Sequence, residues 1–207
     1  MKFHQIKQKQ STDMLIDSSR LIYGCMRIAG DNSPADKIKG KLAIRTAIEA
    51  GYNHFDHADI YGGGHCETLF AEVLTELLKD TPSLREQLII TSKAGIRQAN
   101  MPNVDDSARY DFSKSYLLKS VDDILQRLNI DYLDMFLLHR PDYLFNADEV
   151  AETFIELQNS GKVKNFGVSN FKPSQVSLLQ SVLPMPLLVN QVEINIHNID
   201  TLLDGTL

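Results

Sequence analysis

A chain of 207 residues with 43% hydrophobic and 23% charged side chains has the balance of a single globular domain with one good-sized core. Its formal charge of -6 excludes broad attraction to a phosphate backbone or an anionic lipid surface, so neither nucleic acid nor membrane is an expected partner. No apolar run approaches the roughly 18 to 20 residues of a membrane span, and residues 1–7 lack the apolar core of a secretion signal. Two cysteines, Cys25 and Cys66, are too few for a disulfide framework, so reduced thiols and a cytoplasmic location are expected.

Residues 1–20 are polar and weakly patterned, and read as an N-terminal extension or a short hairpin. The chain then alternates. Leu21-Ile22-Tyr23-Gly24-Cys25 is a short apolar strand, followed by a helix over 35–50 whose expected inner stripe is Ile38, Leu42, Ala43, Ala47 and Ile48, with Gly51 as its stop. A strand at 52–56, a helix at about 65–79 with Leu69, Val73, Leu74, Leu77 and Leu78 inward, and a strand at 88–92 repeat the unit. A long connection, 94–111, leads to a helix carrying Leu117, Leu118, Val121, Ile124, Leu125 and Leu128, with Ser113 placed to cap it. Next come a strand at 133–138, a helix at about 147–160 stopped by Gly161, and a strand at 165–168. A helix opens at Pro173, and Leu187-Leu188-Val189 is the sixth strand.

Six apolar strands separated by amphipathic helices imply parallel strands with right-handed crossovers, in an open doubly wound sheet or a (β/α)8 barrel. Length fits the open sheet better, because eight units typically take about 250 residues. The polar residues favour the barrel. Ionisable groups stand at the ends of strands two, three and four and amides at the ends of five and six, and a barrel gathers all those ends around one mouth.

The densest of these ends is Asn53-His54-Phe55-Asp56-His57-Ala58-Asp59-Ile60-Tyr61, where a buried strand stops in an acid, two histidines and a phenol. Lys93 follows the third strand and His139 the fourth. Asp56, Tyr61, Lys93 and His139 together make a proton-transfer system: a lysine beside a tyrosine favours the phenolate, an aspartate keeps that lysine charged, and a histidine hydrogen-bonds the reacting oxygen. Such a tyrosine can protonate a carbonyl while hydride arrives at carbon. The run Gly62-Gly63-Gly64 lacks the spacing of a phosphate-binding fingerprint and reads as a flexible turn. The connection 94–111 reads either as a wall of a substrate pocket or as a mobile surface loop.

Five stretches, in order, resemble the aldo-keto reductases: Phe55-Asp56-x-Ala58-x-x-Tyr61; Lys93 after an apolar strand; the run from Asp131 through Leu138-His139-Arg140-Pro141-Asp142; the run from Gly161 through Gly167-Val168-Ser169-Asn170-Phe171; and Asn190-Gln191-Val192-Glu193. His57 after Asp56 and the Tyr61-Gly62-Gly63-Gly64 run are similar to a bacterial branch of oxidoreductases in that family. The resemblance implies a (β/α)8 barrel that reduces aldehydes or ketones with NADPH, present here as one incomplete domain, residues 1–207, with about six of the eight units. It implies that Tyr61 is the general acid, that Lys93 and Asp56 tune it, and that His139 polarises or orients the carbonyl. It places Ser169, Asn170 and Gln191 at the nicotinamide carboxamide, and Gly24, Cys25, Met26, Arg27 and Asp56 near the cofactor. A small carbonyl compound is the implied partner, and no metal is implied. Family members continue through two further strands and the residues that grip the adenosine 2′-phosphate. The chain reads as cut short, with weak NADPH binding and little turnover expected of it alone.

Three other readings compete. A degenerate or regulatory barrel would keep the fold without catalysis. A metal-dependent hydrolase would use His54, Asp56, His57, Asp59, His65 and Cys66 as ligands, although His54 and His57 point to opposite faces of a strand and the amides Asn170 and Gln191 would then have no role. A Schiff-base aldolase would use Lys93.

Overall fold

The computed structural model describes residues 16–206; most of the N-terminal extension expected over 1–20 therefore lies outside the described residues. The chain divides into two compact units, one reaching to Thr91 and including Gln126–Ile130, the other made of Ser92–Leu125 and the residues from Asp131 onward.

In the first unit, strands β1 (Tyr23–Gly24), β2 (His54–Asp56) and β3 (Ile89–Ala94, whose last three residues belong to the second unit) run parallel. Helix α1 (Pro34–Glu49) starts where the Ser33 hydroxyl accepts from the Asp36 N–H and Pro34 occupies the first turn, where a missing donor costs nothing. Its buried residues are Gly40, Ile44 and Ala47, whereas Ile38 and Leu42 are exposed. The expected stripe is thus rotated about the helix axis. The cause is Gly40: a Cβ there would lie 2.0 Å from the Ile28 carbonyl oxygen, so the glycine face is the one that approaches closely, and larger residues one step round face outward. Helix α2 (His65–Asp80) buries Cys66, Leu69, Phe70, Val73 and Leu74. Phe70 packs on Phe55 of β2, with ring centroids 5.0 Å apart, which fixes α2 against the strand that carries Asp56. A short helix, α3 (Leu84–Gln87), leads into β3.

In the second unit the end of β3 is followed by β4 (Ile96–Arg97) and β5 (Arg109–Tyr110), an antiparallel ribbon inside the long connection. Helix α4 (Lys114–Leu128) begins after Ser113, and its Leu117, Val121, Ile124 and Leu128 are fully buried. Strands β6 (Leu133–Leu138), β7 (Val163–Ser169) and β8 (Leu187–Gln191) are parallel neighbours. Helix α5 (Ala147–Asn159) is capped by the Asn146 side chain, which accepts from the Asp148 and Glu149 N–H groups. Its Phe154 stacks on Phe166 of β7, 4.1 Å between centroids, and meets Phe136 of β6 edge-on. Each of these rings is fully buried and contributes roughly 2–3 kcal/mol by burial alone. Helix α6 (Pro173–Val182) lies between β7 and β8 in the chain, and the single turn α7 (Asp200–Leu203) follows β8. No described helix is long and apolar enough to cross a membrane.

Candidate active site

In the first unit the strand ends are level. Gly24 pairs with Asp56 and Asp56 with Thr91, and the ladder continues past the strands through Cys25 N–H to the Asp56 carbonyl (2.9 Å) and His57 N–H to the Thr91 carbonyl (2.8 Å). Asp56 is therefore the last residue of β2 and is buried, at 8% exposure. Tyr61 is half-buried at the head of a single 3-10 turn, Tyr61–Gly64, held by its N–H to the Ala58 carbonyl. Gly62, Gly63 and Gly64 all take left-handed φ, and Gly64 serves as the N-cap of α2. This triple therefore turns the chain from the strand end directly into the helix. Gly24, Met26 and Arg27 are exposed beside the buried Cys25.

The histidines of this stretch have structural surroundings. His54 bonds the Ser18 hydroxyl through Nδ1 (2.9 Å) and the Thr91 hydroxyl through Nε2 (2.7 Å), so both ring nitrogens are used. His57 is fully buried against Phe70, at 4.7 Å between ring centroids. Cys66 donates to the Met26 carbonyl, and burial raises its thiol pKa. Among the described residues no group of three or more His, Cys, Asp or Glu side chains is placed to hold a metal.

In the second unit Lys93 lies inside β3 rather than after it, at 1% exposure. The His139 N–H donates to the Ala94 carbonyl (2.9 Å), which sets the end of β6 beside the end of β3. His139 is itself buried. Burial, then the positive charges of Lys93 and Arg140, hold its imidazole down to about pKa 4, so at neutral pH it is uncharged and keeps one N–H donor.

At the ends of β7 and β8, Ser169 pairs with Gln191, and the Ser169 hydroxyl donates to the Gln191 carbonyl (3.0 Å). Asn170 takes the left-handed conformation, φ 61°, with its N–H on the same Gln191 carbonyl (2.9 Å) and its side-chain N–H on the Ser169 hydroxyl (2.9 Å). A nicotinamide carboxamide needs an acceptor for its N–H and a donor for its oxygen. The side-chain carbonyl of Asn170 and the amide of Gln191 are of those two kinds, so this donor set fits such a group.

The structure thus brings Gly24 through Arg27, Asp56 and Tyr61 together in one unit. It brings Lys93, His139, Ser169, Asn170 and Gln191 together in the other. Sequence reasoning missed two participants. Arg140 follows His139 directly, and its charge helps keep that ring neutral. Asn190 uses its side chain on the main chain of Phe171, accepting from its N–H (3.3 Å) and donating to its carbonyl (2.8 Å). A polar residue inside an otherwise apolar strand was the available signal for it.

Comparison with known proteins agrees with this layout. The profile of the Aldo/keto reductase family matches residues 20–202. The chain is 45% identical over 190 residues to oxidoreductase YdhF of Escherichia coli and 43% identical over 191 residues to the uncharacterized oxidoreductase YcsN of Bacillus subtilis; each alignment covers 91% of this chain and 61% of the relative. A 6-dehydroglucose reductase of Agrobacterium fabrum is 36% identical over 193 residues, 93% of this chain and 63% of the relative. Among solved structures, a thermostable aldo-keto reductase in complex with the inhibitor epalrestat superposes with TM-score 0.78 at 28% identity, over 99% of this chain and 67% of that one. The holo form of an aldo-keto reductase from Bacillus halodurans gives TM-score 0.74 at 26% identity, over 92% and 58%. The chain spans about 61% of the length of the first two relatives. The fold class is α/β, an incomplete (β/α)8 barrel of aldo-keto reductase type with six parallel strands among the described residues.

Proposed function

The chain belongs to the aldo/keto reductase family, and from that premise we propose that it serves as an NADPH-dependent oxidoreductase that reduces aldehydes or ketones to alcohols in the cytoplasm. A nicotinamide cofactor, when bound, supplies the hydride. Ser169, Asn170 and Gln191 would hold its carboxamide, and Gly24, Cys25, Met26, Arg27 and Asp56 would approach it from the end of β1 and β2. Tyr61 gives its phenolic proton to the carbonyl oxygen of the substrate, with Lys93 and Asp56 setting the acidity of that phenol. His139, neutral at working pH, donates a hydrogen bond to the same oxygen without competing as a proton source. We expect a polypeptide of these 207 residues alone to bind NADPH weakly.

The observation that carries the reading is Lys93. A lysine at 1% exposure near the end of a strand is costly to desolvate, and its place beside an imidazole that it helps to hold neutral supports a role in acid–base chemistry. The relative named as a 6-dehydroglucose reductase supports a small polar carbonyl compound as substrate. The test is consumption of NADPH with a panel of small aldehydes, ketones and keto-sugars. Carbonyl-dependent oxidation that Lys93→Met reduces at least tenfold supports the reading. Cofactor binding without turnover of any carbonyl would favour a regulatory barrel instead.

A further inference from the structure

The chain leaves β7 through a turn whose geometry is set by β8. Ser169 is the last residue of β7 and pairs with Gln191; Asn170 then adopts φ 61°, a left-handed conformation that a residue with a Cβ takes at a cost of about 1–2 kcal/mol. At the next residue the ladder between the strands has ended, yet both main-chain polar groups of Phe171 remain bonded, because the Asn190 side-chain amide stands in for a peptide group. Its oxygen accepts from Phe171 N–H (3.3 Å) and its nitrogen donates to Phe171 C=O (2.8 Å). The Phe171 ring is buried at 2% exposure and lies parallel to Phe112 at 6.3 Å between centroids. Asn170 is thus fixed from both sides, by Gln191 before it and by the Asn190 clasp after it.

We propose that Asn190 is a positioning residue, whose two-point clasp on Phe171 holds Asn170 in its left-handed conformation so that Ser169 and Asn170 present their polar side chains together toward a nicotinamide carboxamide. The inference rests on the cofactor reading given above. An amide is the side chain this position needs, since it alone of the uncharged groups of this size offers one acceptor and one donor about two ångströms apart in a plane. Alanine offers neither, and an ionised aspartate offers only the acceptor, setting a second oxygen against the Phe171 carbonyl.

The test compares the wild-type chain with Asn190→Ala and Asn190→Asp by two readouts, amide hydrogen exchange without cofactor and NADPH titration. The chain contains no tryptophan, so binding is followed by the fluorescence of NADPH itself. Exchange at the Phe171 amide should quicken at least tenfold in Asn190→Ala and less in Asn190→Asp, while amides in the middle of β7 keep their protection. NADPH affinity should fall in the same order, by about tenfold for Asn190→Ala. Uniform loss of protection along β7 and β8 would mean a merely structural residue, and unchanged exchange at Phe171 would remove the clasp; either result overturns the proposal. Faster exchange with unaltered affinity, in a protein where Ser169→Ala and Gln191→Ala do weaken NADPH, overturns the positioning role and leaves the cofactor reading standing. Affinity indifferent to Ser169 and Gln191 as well would overturn that reading and the proposed role with it.

Discussion

Acidification should destabilise this protein, and one contribution that can be isolated comes from His139. Its imidazole is held to about pKa 4 in the folded chain by burial, by Lys93 and by Arg140, against an ordinary value of 6.5. Between those two values the unfolded chain binds a proton that the folded chain refuses, so stability rises with pH across the window and is lost as pH falls through it. At about pH 4.5 the loss from this residue is about 2.5 kcal/mol, from a ceiling near 1.36 kcal/mol per pH unit across the window. With only 9% of the residue exposed, solvent screening does little to reduce that figure. The assay is urea unfolding of the wild type and His139→Gln at about pH 7.5 and about pH 4.5. Taking the pH effect on each and subtracting cancels every other titrating group, and the remainder should be about 2.5 kcal/mol in favour of the variant at low pH. A remainder below about 0.5 kcal/mol would refute the argument, because it would mean that the folded imidazole accepts its proton as readily as the unfolded one. Lys93→Met should shrink the remainder without abolishing it, since burial is the larger cause.

Other perturbations follow from the packing. A Cβ on Gly167 would sit 2.6 Å from both Cγ1 and the carbonyl oxygen of Val189 and 2.7 Å from Leu137, so Gly167→Ala should force β7 and β8 apart at a cost of about 2 kcal/mol, a drop of roughly 4–8 °C in Tm; an unchanged Tm would show that the strands yield freely. Glu67 has no exposed surface and accepts from Arg127 Nε at 2.7 Å, so Glu67→Gln should cost about 2 kcal/mol in thermal or urea melts by leaving the guanidinium less well paired. That difference should survive about 0.5 M salt, because buried pairs are poorly screened. Removing the Phe154 ring, which stacks on Phe166 and meets Phe136, should cost about 3–5 kcal/mol in Phe154→Ala, and a loss under about 1 kcal/mol would mean that the layer between α5 and the strands collapses to fill the space.

The strands were the most legible part of the chain. β6 falls on the expected 133–138, since an apolar run broken only by Asp134 and bounded by Asp131 and His139 leaves little choice of ends. β3 runs further than its apolar residues because Lys93 is buried inside it, and hydrophobicity alone stops the reading two residues early. The inner face of α1 was misread for a related reason: the smallest residue, Gly40, marks the closest approach, and a pattern that follows large apolar side chains passes over it. The ribbon β4–β5 has only two residues on each strand, too short for any periodicity to show. At the site, the rule that chemistry collects beyond strand ends singles out Asp56, Lys93 and His139 as candidates, and the structure buries all three at or next to the ends of β2, β3 and β6. A polar residue in an apolar strand marks Asn190 as unusual, but its partner Phe171 was not legible, because that depends on the register between β7 and β8, which no local pattern encodes.

The central claim, that a phenol on the turn after β2 protonates a carbonyl while hydride arrives from NADPH, is tested most directly by isotope transfer. The wild type and Tyr61→Phe would be incubated with NADPH deuterated at the reactive carbon of the nicotinamide and a reactive aldehyde, and the alcohol examined by mass spectrometry, which detects even slow turnover. The wild type should place one deuterium on the carbinol carbon, and Tyr61→Phe should form the labelled alcohol at least 100-fold more slowly while binding NADPH equally well. Labelled alcohol formed at equal rates by both proteins, or by neither, would contradict it.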